Sequence, residues 1–228
     1  MSWPSWLPLR ESLRPMSPYG APQVPAQASL NTNENPYSPS PALQKAITDA
    51  VAKVAADLNR YPDRDATALR TKLATYINEL SGTKFSADNI WAANGSNEII
   101  QSIFLAFAQG PVLGFTPSYS MHPLIAKVTG AQWIDGKRNA DFSLNTTDAI
   151  AEIQKNKPTL TFITTPNNPT GGAVTIAEIQ KLADACKSVG GLLVVDEAYA
   201  EFSQEKSAVT LIANNPHVIV IRTMSKAF

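Results

Sequence analysis

The sequence predicts an α/β fold: a three-layer sandwich in which a mainly parallel sheet is covered on both faces by helices. Three observations predict it. Short apolar runs alternate with longer segments whose apolar residues recur at helical spacing. The runs are continuously apolar, as strands buried on both faces are. Polar clusters follow the runs, and a sheet of this kind binds ligands beyond the carboxyl ends of its strands. The 228 residues are 44% hydrophobic and 17% charged, enough apolar material for a large buried core.

The elements follow in order. Pro4, Pro8, Pro15, Pro18, Pro22, Pro25, Pro36, Pro39 and Pro41 crowd the start. Proline fixes φ and removes a donor, so residues 1–40 read as an extended arm, neither helix nor central strand. Trp3, Trp6, Leu7, Leu9, Leu13 and Tyr19 make the arm too apolar to float free, so it lies on another surface, its own or a partner's. The domain proper is expected over 41–228. Ser40-Pro41 is a cap followed by proline at the first helical position, and Leu43, Ile47, Val51, Val54 and Leu58 follow at helical spacing. A second helix starts near Asp65, carries Leu69, Leu73, Ile77 and Leu80 on one face, and stops at Gly82. Ile90-Trp91-Ala92 reads as a short strand. Asn94-Gly95-Ser96-Asn97 then leads into a helix through Ile99, Ile100, Ile103, Phe104 and Phe107. Further strands are expected at 112–115, 132–134, 160–163, 192–195 and 218–221. Helices are expected at about 120–129, 147–156 and 175–189, the last opening on a Thr175/Glu178 capping box.

Composition excludes several classes. Lys+Arg and Asp+Glu both number 19, so no basic excess points to nucleic acid or an anionic membrane. Cys186 stands alone, and His122 and His217 lie far apart, so neither a disulfide nor a metal cluster is expected. No apolar run approaches a membrane span, and the start has no continuous apolar signal region. A cytoplasmic protein is the expectation. Neither GxGxxG nor GxxxxGK[ST] occurs, which disfavours nicotinamide and P-loop nucleotide chemistry.

Three strand ends carry the chemistry. Lys226 follows the run Val218–Ile221, Asp196 ends the run from Leu192, and Asn167-Asn168-Pro169-Thr170-Gly171 follows the run from Leu160. A neutral amine condenses with an aldehyde. A carboxylate pairs with a protonated pyridine nitrogen and keeps that ring an electron sink. An asparagine amide donates to a phenolate oxygen, and Tyr199, three residues past Asp196, can face the same ligand. Gly95-Ser96-Asn97 at a helix start, with the hydroxyls of Thr223 and Ser225, suits a phosphate. Together these residues make a site for pyridoxal 5′-phosphate. Each has a plain alternative: a surface lysine, a strand-end carboxylate, a turn.

Taken together the chain resembles the fold type I pyridoxal-phosphate-dependent aminotransferases, and among them the histidinol-phosphate aminotransferase family. The resemblance rests on Arg14-Pro15, Pro18-Tyr19-Gly20, the segment Leu30-Asn31-Thr32-Asn33-Glu34-Asn35-Pro36-Tyr37-Ser38-Pro39-Ser40-Pro41, Arg60-Tyr61-Pro62-Asp63, Asn94-Gly95-Ser96-Asn97-Glu98, Thr116-Pro117-Ser118-Tyr119-Ser120-Met121, Thr165-Pro166-Asn167-Asn168-Pro169-Thr170-Gly171, Asp196-Glu197-Ala198-Tyr199 and Arg222-Thr223-Met224-Ser225-Lys226-Ala227-Phe228. It implies that Lys226 is the Schiff-base lysine and proton shuttle, and that Asp196 pairs with the pyridine nitrogen. It implies that Asn168 and Tyr199 hold the ring's phenolate oxygen while Tyr119 stacks on the ring. Ser96, Asn97, Thr223 and Ser225 would hold the cofactor phosphate, with Tyr61 reaching the phosphate site of a neighbouring subunit. Tyr19 and Asn35 would approach the substrate. Asn97 stands where the family often has aspartate, and His122 where an aromatic is usual, at the site or at its rim.

The implied reaction is amino transfer between glutamate and imidazole-acetol phosphate, giving L-histidinol phosphate and 2-oxoglutarate in histidine biosynthesis, by a homodimer with shared sites. The partners implied are small amino-acid and keto-acid substrates. An aromatic amino-acid aminotransferase, an amino-acid-phosphate decarboxylase of the same fold, and a non-catalytic truncated remnant or dimerisation module are the alternatives. The family also has a phosphate-binding arginine, a closing strand and a C-terminal small domain beyond the lysine, none of which this sequence contains. The expectation is therefore an incomplete large domain, inactive by itself.

Overall fold

The computed structural model describes residues 3–17, 20, 22, 24–25, 27–28 and 30–228. The arm makes one short 3-10 turn, Glu11–Leu13, between its prolines, a departure from a wholly extended reading. The turn lies in the six-residue proline-free stretch between Pro8 and Pro15. The Arg10 guanidinium donates to the Val128 carbonyl, which ties the arm to the chain's own surface at a helix C-terminus, where cations are favoured. Trp3 and Trp6 stay exposed.

Two helices come next. Helix α1 spans Pro41–Val54, and the Ser40 hydroxyl accepts from the Leu43 amide to cap it. It buries no residue, so Leu43, Ile47, Val51 and Val54 lie about half exposed along one stripe. Helix α2 spans Thr67–Ser81 and ends on Gly82 at φ 67°, a left-handed position that glycine occupies without strain. Ile90-Trp91-Ala92 is not a strand. Ile90 has extended angles (φ −114°, ψ 130°), but the segment joins no ladder and Trp91 is exposed. An extended run becomes a strand only with a neighbour to bond, and among the described residues this segment pairs with none of the five strands.

The remaining elements alternate: α3 (Gly95–Phe107), β1 (Val112–Thr116), α4 (Met121–Thr129), β2 (Trp133–Lys137), α5 (Thr146–Asn156), β3 (Leu160–Thr164), α6 (Ile176–Ser188), β4 (Leu192–Asp196) and β5 (Val218–Ile221). The Thr175/Glu178 capping box opens α6. A 3-10 helix, Ala208–Asn214, lies between β4 and β5. The five strands are all parallel, in the order β2-β1-β3-β4-β5. Strand β2 runs beyond the expected 132–134 to Asp135, Gly136 and Lys137. As an edge strand it tolerates polar residues that a central strand does not.

Alternate strand residues enter two cores. Phe115, Ile163, Leu193 and Val195 pack with Ile153 of α5 and Ile179 and Leu182 of α6. Leu160, Phe162, Val194 and Ile221 pack on the other face with Ile100 and Phe104 of α3 and Ile125 of α4. Each such buried side chain contributes roughly 1.5–3 kcal/mol. Phe162 stacks on Phe104 with ring centroids 5.2 Å apart. Gly114 lets the Trp133 indole cross β1, since a Cβ there would meet the ring at 2.3 Å. No helix among the described residues is long and apolar enough to cross a membrane. No group of three His, Cys, Asp or Glu among them could hold a metal ion.

Candidate active site

Parallel strands deliver their carboxyl ends to one edge of the sheet, and the polar motifs sit there. After β3 the chain turns through Asn167, whose side chain is buried and fully engaged. Its amide nitrogen donates to the Pro117 carbonyl at 3.1 Å and to the Thr170 hydroxyl at 2.7 Å. Its oxygen accepts from Arg138 Nη2 at 3.1 Å and from Ser118 Oγ at 2.8 Å. Burial lowers the pKa of that guanidinium. Asn167 therefore ties the ends of β1 and β3 together and leaves Asn168 to face outward.

Asn168 lines a cavity of about 940 Å³ together with Asn33, Asn35, Tyr199 and Lys226. The Tyr199 hydroxyl receives two amide donors, Asn168 Nδ2 at 3.3 Å and Asn33 Nδ2 at 3.0 Å. With its lone pairs taken, the phenol's own O–H is left to donate elsewhere. Lys226 Nζ donates to the Thr32 carbonyl at 3.0 Å. The arm thus crosses the lysine. Asn33 escaped the sequence reading, although it stands inside the quoted Asn31–Tyr37 motif. Its φ of 54° is a left-handed conformation that asparagine accepts more readily than most residues.

Asp196 does not line this cavity. It ends β4 with 1% exposure, and its two oxygens are partnered within the protein. Oδ1 accepts from the Ala198 amide at 3.1 Å. Oδ2 accepts from His122 Nε2 at 3.0 Å, and an ionised carboxylate only accepts, so that nitrogen carries the hydrogen. His122 is 2% exposed, its ring 4.8 Å from that of Phe162 and edge-on to Tyr119 at 5.4 Å. Tyr119 and His122 line a second cavity of about 230 Å³ with Trp133 and Phe162. The Tyr119 hydroxyl donates to Asn97 Oδ1 at 3.1 Å, which links the end of β1 to the first turn of α3. Ser96 lies in the same turn.

After β5, the hydroxyls of Thr223 and Ser225 pair at 2.9 Å, and the Ser225 amide donates to Thr223 Oγ1 at 3.3 Å. The structure therefore brings Asn35, Asn168, Tyr199 and Lys226 to one cavity. It sets Tyr119 and Asp196 against His122, with Asn97 bonded to Tyr119, and keeps Thr223 and Ser225 together in the turn before the lysine. Tyr61 is fully exposed. Tyr19 lies outside the described residues.

A family model described as "Aminotransferase class I and II" matches residues 25–228. The chain is 53% identical over 227 residues to the histidinol-phosphate aminotransferase of Thermobifida fusca (strain YX), covering 97% of this chain and 60% of that protein. It is 51% identical over 226 residues to the protein of that name from Mycobacterium marinum, covering 97% of this chain and 58% of that one. The chain spans about three fifths of the length of the curated relatives it matches. Among solved structures, a putative histidinol-phosphate aminotransferase from Erwinia carotovora atroseptica matches with TM-score 0.73 and 28% identity, covering 86% of this chain and 56% of that one. The histidinol-phosphate aminotransferase from Sinorhizobium meliloti, in complex with pyridoxal-5′-phosphate, shares the fold at TM-score 0.71 and 24% identity, covering 86% of this chain and 51% of that one.

Proposed function

The chain belongs to the class I and II aminotransferase family, and from that premise we propose that it forms the cofactor-binding part of a pyridoxal-phosphate enzyme. The proposed reaction moves the amino group of glutamate to imidazole-acetol phosphate, giving L-histidinol phosphate and 2-oxoglutarate, in the cytoplasm. One observation carries the reading: the Lys226 amine, the Tyr199 phenol and the Asn168 amide share one cavity at the carboxyl edge of a parallel sheet. The substrate assignment draws support from the names of the 53% and 51% identical relatives and from Asn33, Glu34 and Asn35 on the cavity wall.

The donor set fits the cofactor. An amine suits its aldehyde, an amide and a phenol suit its ring oxygen, and a carboxylate suits its pyridinium. Hydroxyls on Thr223 and Ser225, with Ser96 and Asn97 in the first turn of α3, suit its phosphate. When bound, the cofactor supplies an electron sink for the substrate's reacting carbon.

The protein's own residues do the rest. Lys226 Nζ would hold the cofactor through its aldehyde and would be the group that carries the substrate proton. The Thr32 carbonyl holds that amine within the cavity until it is used. Tyr199 and Asn168 would hold the ring oxygen, and the second amide on Tyr199, from Asn33, orients the phenol. Asp196, outside the cavity lining and held by His122 and the Ala198 amide, would supply the negative charge that keeps the ring nitrogen protonated. The arm segment Asn33–Tyr37 forms one wall of the cavity.

The working unit is a homodimer with shared sites. The supporting observations are the full exposure of Tyr61 and the unburied apolar stripe of α1. Such an obligate interface buries about 2,000 Å² or more.

The test is an assay of the full-length gene product loaded with pyridoxal phosphate. Histidinol phosphate with 2-oxoglutarate is expected to give glutamate, with kcat/KM about tenfold or more above that for any aromatic amino acid. A preference for aromatic amino acids, or carbon dioxide release from an amino-acid phosphate, overturns the substrate. Failure to take up the cofactor overturns the reading altogether.

A further inference from the structure

A second polar cluster lies between the ends of β4 and β5, and none of the chemistry above uses it. Arg222 follows β5. Its Nη1 reaches Glu197 Oε2 at 3.5 Å and its Nη2 pairs with Glu201 Oε1. The Arg222 and Glu201 side chains are each 16% exposed and that of Glu197 is 3% exposed, so these are not solvated surface pairs. Glu201 Oε1 also accepts from the Tyr76 hydroxyl of α2 at 3.2 Å. The Tyr76 ring meets that of Phe228 edge-on at 5.6 Å. Glu197 accepts from Ser207 Oγ and from the Ala208 amide, both at 2.6 Å, and so holds the start of the 3-10 helix Ala208–Asn214.

The position of this cluster matters more than its charge. The ladder between β4 and β5 ends at the pair Asp196↔Ile221, and the Glu197 amide donates to the Ile221 carbonyl at 2.9 Å. Glu197 and Arg222 each stand one residue past that last pair. Asp196 lies immediately before Glu197, and Thr223, Ser225 and Lys226 follow within four residues of Arg222. Beyond the ladder, backbone pairing no longer sets the gap between the two segments. The guanidinium does so instead, by engaging both carboxylates of the β4 segment. Successive strand residues point to opposite faces, so Glu197 faces away from the side that Asp196 serves. It acts on the site only by holding it.

We propose that Arg222 is a positioning residue: clamped by Glu197 and Glu201, it fixes the Thr223–Lys226 turn relative to Asp196, so that amine, hydroxyls and carboxylate address one ligand. The proposal rests on the cofactor reading above. Removing the clamp lets the turn move, and a small misplacement of a reacting group costs about 100-fold in rate.

The experiment compares Arg222→Gln, Arg222→Lys and Glu201→Gln in the full-length protein. In the cofactor-free form, amide hydrogen exchange over residues 223–227 is expected to speed up in Arg222→Gln and to return toward the parent rate in Arg222→Lys. In the loaded form, Arg222→Gln is expected to shift the pH midpoint of the lysine-bound cofactor's absorbance and to lower kcat more than it raises KM. The double variant with Glu201→Gln should be no worse than Arg222→Gln alone. Unchanged exchange over 223–227, or a lowered Tm with an unmoved midpoint and kcat, overturns the proposal. If Arg222→Gln does not fold, Arg222→Lys and Glu201→Gln carry the same comparison. If the parent protein takes up no cofactor, the cofactor reading fails, and the exchange data still decide whether the clamp holds the turn.

Discussion

His122 Nε2 donates to Asp196 Oδ2 at 3.0 Å, across 74 positions of sequence, with both side chains about 2% exposed. A carboxylate buried this deeply keeps its charge only when its oxygens are paired. His122→Ala removes one donor and leaves a void beside Phe162. The expected cost is about 3 kcal/mol of stability, read as a lower Tm of the cofactor-free protein. Asp196→Asn is expected to retain some cofactor and lose most turnover, because a neutral amide does not hold a ring nitrogen protonated. Near-parental kcat in Asp196→Asn refutes the role.

Lys226 is the residue on which the proposed chemistry stands or falls. Borohydride treatment of the loaded full-length protein should fix the cofactor on Lys226, and peptide mapping should find it nowhere else. Lys226→Ala should lower turnover by about 10⁴-fold or more, since nucleophile and proton carrier disappear together. Label on another lysine contradicts the assignment.

Much of this was legible because it is local. The α6 capping box, the Ser40-Pro41 start and the Gly82 stop are written within four residues of where they act. The strands of β1, β3, β4 and β5 announced themselves as unbroken apolar runs. Ile90-Trp91-Ala92 misled because strand character needs a neighbour, and sequence shows only the segment itself. The long-range pairs were invisible for the same reason. Nothing around His122 names Asp196, and nothing around Arg222 names Glu197 and Glu201. Asn33 was hidden differently: its motif was noticed, but the contact with Tyr199 depends on where the arm crosses the sheet.

The α6 cap offers a test by pH. The Thr175 hydroxyl, with help from its backbone amide, holds the Glu178 carboxyl below the usual carboxylate range. The folded group titrates below the unfolded one. Its contribution is therefore full above the ordinary carboxylate range and is lost as pH falls through the depressed folded value. Thr175→Ala should cost about 1 kcal/mol at neutral pH. Glu178→Gln should differ from the parent at neutral pH and converge on it in acid. A Tm gap independent of pH would refute the linkage.

Tyr61 tests the shared site. Mixing full-length Tyr61→Phe with Lys226→Ala should give heterodimers in which one site carries both lesions and the other neither, restoring up to about half of parental activity per dimer. Heterodimers that form and restore nothing beyond the Tyr61→Phe background rule out a tyrosine donated across the interface.

The strand order β2-β1-β3-β4-β5 also bears on how the molecule is made. Strand β1 is synthesised first, β2 closes on one side of it, and β3, β4 and β5 then join the opposite edge one after another. None of these five strands has to insert between two already paired, so each can dock in the order that synthesis supplies it. Lys226 arrives with the last of these strands. The amine therefore joins its neighbours only after the sheet that presents Asn168 and Asp196 is standing, and a half-made chain carries no assembled site to react with free aldehydes in the cell.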